Sequence, residues 1–249
     1  MKMIPKKAIL DADIIAYKAA CYLDIEGVDE LECRLDQDIK NWTPKGVNEI
    51  TLALSCSRRK NYRRAEWATY KKNRDSQSSP DSLGFCREYL IEAYTTLVEP
   101  RIEADDILGV YVSRGDYIGV TIDKDLKCIP GYHWNPNKDK DIRFISEEEA
   151  DKAFYLQWMS GDSTDGIPGL WRIGPKTAIK FLDEWDIDTW EEKILELYEE
   201  DKYQPKSGKV DPLAMARCIR ILRNGEYNFE TKEITLWCPK VGYNENKES

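Results

Sequence analysis

Residues 117–125, YIGVTIDKD, set a short apolar run directly against two aspartates. The run 117–122 reads as a buried strand, with Asp123 and Asp125 at its carboxyl end. Working outward, KAILD (7–11) reads as a second buried strand, and EITLALS (49–55) as a third by its β-branched and apolar content. Helices lie between them: one from the first strand to about Tyr22, an amphipathic one over 29–42 ended by Pro44, and two over 83–97 and 105–114. Strands alternating with helices predict an α/β fold with a mainly parallel sheet. In such a sheet, ligand sites form in the crevice beyond the carboxyl ends of the strands.

The second half reads differently. GYHWNPNKDK (131–140) is loop-like, and Ser146 with Glu149 makes a capping box for a helix to about Met159. Helices follow over 175–185, with Pro175 in the first turn, and over 189–199. KYQPKSGKVDP (202–212) is a flexible linker, 212–223 a helix ending on Gly225, EITLW (233–237) strand-like, and 239–249 a disordered tail. No internal repeat is present.

The totals exclude several classes. A chain of 249 residues, 41% hydrophobic and 33% charged, makes one large soluble domain or two small ones. No apolar run is long enough to span a membrane, and the first residues do not read as a secretory signal. Seven cysteines without a CxxC predict reduced thiols and a cytoplasmic location. A single histidine, His133, excludes chemistry that needs two imidazoles and argues against a His/Cys zinc site. The net charge of −9 conceals one local excess of base. RRKNYRRAEWATYKKNR (58–74) holds eight basic residues, one acid and three aromatics. Arg58, Arg59, Lys60, Arg63, Arg64 and Lys72 could neutralise phosphates, and Tyr62, Trp67 and Tyr70 could stack on unpaired bases. A solvated helix face with core aromatics is the plainer reading.

Acidic residues gather at four strand-to-helix junctions: Asp11 and Asp13, EADD at 103–106, Asp123 and Asp125, and Asp162 and Asp165 in GDSTDGIPG. Taken singly, each reads equally as a cap or an Asx-turn. Together they suggest a common mouth. Two like charges about 4 Å apart cost roughly 4 kcal/mol at an effective dielectric near 20. The cluster therefore needs raised pKa values or divalent cations. Oxygen-only ligands select Mg²⁺ or Mn²⁺, and two such ions suit phosphodiester hydrolysis. Beside the last pair, Gly169 and Gly174 flank a loop before a helix whose free N–H groups, with Lys176, Thr177 and Lys180, suit a sequence-independent grip on phosphates.

The ordered set LDAD, YKKNR, EADD, TIDKD and GDSTDGIPG…IGPKTA resembles the 5′-nuclease superfamily, which includes flap endonucleases and polymerase-associated 5′ exonucleases. The segment ARCIRILRNGEYNFETKEITLW looks closest to the gene-six 5′→3′ exonucleases of T-seven-like bacteriophages. The resemblance runs from about residue 7 to 239. It implies a PIN-like core over 1–145 with an arch near 58–80, and a helix-three-turn-helix region over 146–238 completing the same globular unit. By position it assigns Asp11, Glu103, Asp105, Asp106, Asp123, Asp125, Asp162 and Asp165 to the metal shell. It places Tyr70, Lys71 and Arg74 near the scissile phosphate and a K⁺ ion on carbonyls around 170–174. The implied activity is Mg²⁺-dependent cutting of DNA with a free 5′ end or flap, and of RNA in RNA–DNA hybrids, to 5′-phosphates in phage replication or recombination. The implied protein is monomeric, in the host cytoplasm if viral. One departure stands out: where the family has an aspartate after the second strand, this chain has Ser55, Cys56 and Ser57. That departure bears on one metal position rather than on the reaction class, and it encourages the alternative of a DNA-binding accessory with a degenerate site. A PIN-type ribonuclease is a separate alternative, against which the glycine-spaced duplex grip argues.

Overall fold

The computed structural model describes residues 3–26, 31–206 and 208–240, without the side chains of 23–26 and of Arg58. Six strands form one sheet: β1 Lys7–Asp11, β2 Glu49–Leu54, β3 Thr96–Val98, β4 Tyr117–Val120, β5 Gly131–Trp134 and β6 Arg143–Ile145. Nine helices are described: α1 Ala12–Glu26, α2 Leu31–Asn41, α3 Arg63–Glu66, α4 Leu83–Ala93, α5 Ala104–Ser113, α6 Glu147–Ser160, α7 Pro175–Glu184, α8 Trp190–Glu199 and α9 Pro212–Ile219. No helix among the described residues is long and apolar enough to cross a membrane.

The strand order is β3-β2-β1-β4-β5-β6, parallel except for the β5–β6 pair. The order in which the chain adds strands reverses between the parallel neighbours β1 and β4, where Ile9 lies opposite Gly119. That junction is the topological switch point, the place where sites form beyond the carboxyl ends of the strands in such sheets. β1, β2 and β4 are continuous apolar runs because both faces of the sheet are covered. Ala16, Ala19, Leu35, Ile39 and Leu90 from α1, α2 and α4 pack with Leu10, Leu52 and Val120 in one buried cluster. α5 contacts β1, β2, β4 and β5.

The chain divides into two compact units that are not consecutive in sequence. The sheet unit comprises Met1–Tyr62, Gln77–Ala150 and Ile221–Ile234. In it the returning segment is tied down by Leu222 N–H to Asp106 (3.1 Å), Asn224 N–H to the Ser113 hydroxyl (2.8 Å) and the Lys232–Glu99 ion pair (2.7 Å). The second unit comprises Arg63–Ser76, Asp151–Arg220 and Thr235–Ser249. Its core is aromatic: Phe154, Tyr155, Trp158, Trp190 and Tyr198 are buried, and Trp237 packs edge-on against Phe154 and Trp158. The Trp158 indole donates to the Pro212 carbonyl (2.8 Å) and the Tyr198 hydroxyl to the Trp158 carbonyl (2.6 Å), so the buried polar tips are satisfied.

Several elements differ from the sequence reading. The helix expected to 97 stops at Ala93, and Thr96–Val98 forms edge strand β3 after the Thr96 hydroxyl takes the Leu90 carbonyl. Residues 131–134 form a strand rather than a loop, because pairing with β4 overrides their loop-like composition. The helix expected to 223 ends at Ile219, and EITLW contributes only an isolated bridge, Tyr227 to Ile234. Most of the expected tail, 241–249, lies outside the described residues.

Candidate active site

Asp11 ends β1, the strand at the switch point, and is 3% exposed. The Thr121 hydroxyl, just past β4, donates to its Oδ2 at 2.9 Å. Burial pushes the Asp11 carboxyl well above the usual carboxylate range, and the like charges of Asp13 and Asp123 push the same way. The Thr121 hydroxyl and the Ile14 N–H oppose the shift without cancelling it. Asp123 is fixed by its own N–H donating to the Thr121 hydroxyl (3.0 Å), and its Oδ1 accepts from the Asp125 N–H (2.9 Å). The strand end thus builds its carboxylates around one threonine.

Asp13, in the first turn of α1, accepts from the Ser55 N–H at 3.0 Å and pairs with Arg87 at 2.5 Å. Arg87, on α4, also donates to the Ser55 carbonyl at 2.7 Å, and the Ser55 hydroxyl accepts from the Ala104 N–H at 2.9 Å. Ser55 therefore joins β2, α1, α4 and the start of α5. Glu103 and Asp106 form the capping box of α5, with Asp105 in its first turn. Asp106 is fully buried, with one oxygen on the Glu103 N–H (3.0 Å) and the other on the Leu222 N–H. It braces the fold. Burial pushes the Cys56 thiol up, and the negative charges of Glu103, Asp106 and Asp13 push the same way.

In the sheet unit, then, Asp13 and Asp123 both act on Asp11, and the donors are all hard oxygens, the chemistry of a Mg²⁺-type ligand set. The uncompensated charge at Asp11 is what a dication would relieve. Among the described residues, no three His, Cys, Asp or Glu side chains form a ready-made cage.

In the second unit, Asp162 makes an Asx-turn, its Oδ1 accepting from the Thr164 N–H (2.8 Å) and the Asp165 N–H (3.3 Å). Asp165 pairs with Arg74 (2.6 Å) and Lys71 (3.6 Å). The basic arm is less exposed than its composition implies. Arg63 is 2% exposed, its Nε donating to the Cys218 carbonyl (2.9 Å) and its Nη2 to the Arg220 carbonyl (2.7 Å). That corrects its reading as a phosphate contact: the last carbonyls of α9 claim the guanidinium first. Tyr70 is buried here and Tyr62 in the sheet unit, so neither offers a face for base stacking, and Tyr70 has no open path to a phosphate. Arg64 is held by Asp75 (2.6 Å). Lys72 in this unit, and Arg59 and Lys60 in the sheet unit, are exposed as expected, and the Arg58 side chain lies outside the described residues.

At the glycine-spaced turn, Gly169 does not make room for a ligand. A Cβ there would sit 2.3 Å from the Gly161 nitrogen, so the glycine lets two backbone segments touch. Gly174 is the open one: it is the N-cap of α7, and a Cβ on it would meet nothing within 4 Å. Lys176, Thr177 and Lys180 on α7 are exposed while Ala178 and Leu182 are buried, so the basic stripe faces solvent. A groove of about 520 Å³ runs beside the helix start, lined by 168–174, Pro205 and Lys206. Residues that sequence reasoning missed include Trp171, exposed with the Lys206 ammonium 4.9 Å over its ring, and Thr121 and Arg87; Ser55 stands out in the sequence only as a departure, not for the bonds it makes. Only Thr121 carried a signal, its place between strand and aspartate.

No protein-family model matches the chain. A 5′-3′ exonuclease from Buchnera aphidicola subsp. Acyrthosiphon pisum is 30% identical over 224 residues, covering 79% of this chain and 77% of the relative. The chain belongs to the 5′-3′ exonuclease family. The exonuclease of Escherichia phage T7 is 29% identical over 202 residues, covering 68% of this chain and 67% of the phage protein. DNA polymerase I of Rhizobium leguminosarum is 31% identical over 219 residues, 80% of this chain but 21% of the polymerase, so this family member spans about a fifth of that relative's length. Among solved structures, the T5 D15 protein co-crystallized with metal ions superimposes with a TM-score of 0.53 at 15% identity, over 86% of this chain and 83% of that one. That likeness bears on the fold, and it agrees with the PIN-like α/β core expected of the 5′-nuclease superfamily.

Proposed function

We propose that the protein is a divalent-metal-dependent 5′→3′ exonuclease that also cuts flaps, hydrolysing phosphodiester bonds of DNA, and of RNA in RNA–DNA hybrids, to 5′-phosphates. The observation that carries this reading is Asp11: a buried carboxylate at the β1/β4 switch point, raised by burial and by Asp13 and Asp123. Asp11, Asp123 and Asp125, with Glu103 and Asp105, are the proposed ligands of Mg²⁺ or Mn²⁺ in the sheet unit, and Asp162 is a proposed cation ligand in the second unit. Such ions supply hydroxide at neutral pH and stabilise charge building on phosphorus. The chain's own residues do the rest. Thr121 fixes the orientation of Asp11 and Asp123, Arg87 and Ser55 hold Asp13, and Lys71 and Arg74 bind the phosphate being cut. The N-terminus of α7 with Lys176, Thr177 and Lys180 grips duplex backbone, and carbonyls of 170–174 are the proposed seat of a K⁺ ion. A monomer acting in the cytoplasm, of a host cell if viral, completes the proposal.

The accessory reading has one observation in its favour: Ser55 stands where the family has an aspartate, and Arg87 neutralises Asp13. Incubating 5′-labelled duplex and flap DNA with Mg²⁺, then with EDTA, decides between them. The exonuclease reading expects shortening from the 5′ end that EDTA abolishes and that Asp123→Asn reduces by about 100-fold or more. Tight DNA binding without any Mg²⁺-dependent cutting would establish the accessory instead.

A further inference from the structure

The turn 162–166 and the arm 63–76 are joined at more points than two neighbouring loops require, and every joint lies within the second unit. Asp165 Oδ1 pairs with Arg74 and its Oδ2 with Lys71, so both carboxylate oxygens are committed to cations of the arm. The Asp165 backbone carbonyl accepts from the Lys71 N–H at 2.8 Å. On either side, the Thr164 carbonyl accepts from the Asn73 amide (3.1 Å) and the Gly166 carbonyl from the Trp67 indole (3.1 Å). Gly166 has φ +76°, and a Cβ on it would stand 2.9 Å from the Thr69 carbonyl oxygen. The glycine is there so that the arm can lie directly on the turn. Lys71 itself sits at φ +51°, a conformation that a lysine keeps only when its surroundings impose it.

We propose that Asp165 is a positioning residue for the arm rather than a metal ligand: it holds Lys71 and Arg74 in the one arrangement that serves the phosphate. The proposal rests on the nuclease reading for what Lys71 and Arg74 do, but not for what Asp165 touches. The two aspartates of GDSTD thereby divide the labour. Asp162, which makes no ion pair among the described residues, shapes the turn and keeps a carboxylate for a cation. Asp165 carries the charge that orders the arm. A guanidinium hydrogen bond at 2.6 Å to a carboxylate that is 20% exposed is charge-assisted and partly shielded from water. A metal at Asp165 would have to take that carboxylate from two cations at once.

The test compares Asp165→Asn, Arg74→Ala and the double variant in two measurements. The first is Mn²⁺ binding by isothermal titration calorimetry without DNA. The second is single-turnover cutting of 5′-labelled duplex DNA in Mg²⁺, read separately for the maximal rate constant and the half-saturating enzyme concentration. D165N is expected to bind Mn²⁺ within about twofold of the wild type and to cut about 100-fold more slowly, the scale of a misplaced catalytic group. The double variant is expected to be no slower than the slower single one, because both changes break the same joint. A tenfold loss of Mn²⁺ affinity in D165N, or rate losses that multiply, would overturn the proposal. Should D165N melt early, Asp165→Glu carries the same comparison: retained Mn²⁺ affinity with slower cutting supports the positioning role, and weakened Mn²⁺ binding or a wild-type rate refutes it. If the wild type cuts nothing in Mg²⁺, the nuclease reading falls, while the Mn²⁺ comparison still decides whether Asp165 is a ligand.

Discussion

Replacing Arg63 by alanine separates a structural guanidinium from a phosphate contact. Arg63 is 2% exposed and donates two hydrogen bonds to carbonyls at the end of α9, from Cys218 and Arg220. Charged hydrogen bonds contribute about 1.5–3 kcal/mol each, and a buried carbonyl left without a donor costs about 1–3 kcal/mol. The positive charge also complements the α9 dipole, adding roughly 0.3–1 kcal/mol. Allowing for relaxation and water entry, Arg63→Ala is expected to destabilise the second unit by about 3–5 kcal/mol, a large share of the ~5–15 kcal/mol that holds a typical domain together. Arg63→Lys keeps the charge but not the two-pronged geometry, and should recover less than half of the loss. Six of the eight tryptophans lie in that unit, so urea unfolding followed by tryptophan fluorescence reads it directly. DNA binding by the molecules that remain folded should keep the wild-type salt dependence. A variant that unfolds like the wild type but whose log–log salt slope falls by about 0.9, one phosphate's worth, would put Arg63 on the DNA and refute the reasoning.

Asp106→Ala should cost about 2–4 kcal/mol in a denaturant melt, since the Glu103 and Leu222 N–H groups both lose their acceptor, with Asp106→Asn milder; an unchanged melt would mean the brace is idle. His133 is expected to make stability fall with acid: burial lowers its pKa from 6.5 to about 4, so below pH 6.5 the unfolded chain takes a proton that the native state refuses. The loss begins as pH drops through 6.5, reaches at most about 2 kcal/mol at pH 5 and levels off below 4, and His133→Gln should remove that component from the pH–stability curve. If the two curves stay parallel, the ring is not held neutral. Lys176→Ala should weaken duplex binding and flatten its salt slope by about 0.9, and an identical slope would show that the lysine does not meet a phosphate.

What could be read without coordinates follows from which interactions are local. β1, β2 and β4 are legible because strands buried on both faces must be apolar throughout, and Asp11 and Asp123 are legible because a carboxylate ending such a strand is conspicuous. β5 and β6 are not, since short segments such as 131–134 become strands only when neighbours supply the ladder. The basic arm misled in one respect: composition counts charges but does not say which guanidinium enters the core. Arg63 meets its acceptors 155 and 157 residues away, and Arg74 meets Asp165 at a separation of 91. No pattern within a helical or strand period encodes those pairs.

The same distance in sequence explains how the sheet unit accommodates Ser55. An aspartate there would add a negative charge close to Asp13, itself one of the charges that raise Asp11. Serine removes that charge and places a hydroxyl under the Ala104 N–H, while its backbone offers the N–H and carbonyl that any residue there would keep. The N–H goes to Asp13, the carbonyl goes to Arg87, and Arg87 closes the triangle on Asp13. Asp13 is thus paired and fixed by protein groups, whereas Asp11 and Asp123 share Thr121 and carry no cation of their own among the bonds they make. The unbalanced charge is concentrated at the carboxyl ends of β1 and β4, which is the electrostatic argument for placing the proposed dication on the Asp11–Asp123 side rather than at the position the missing aspartate would have served.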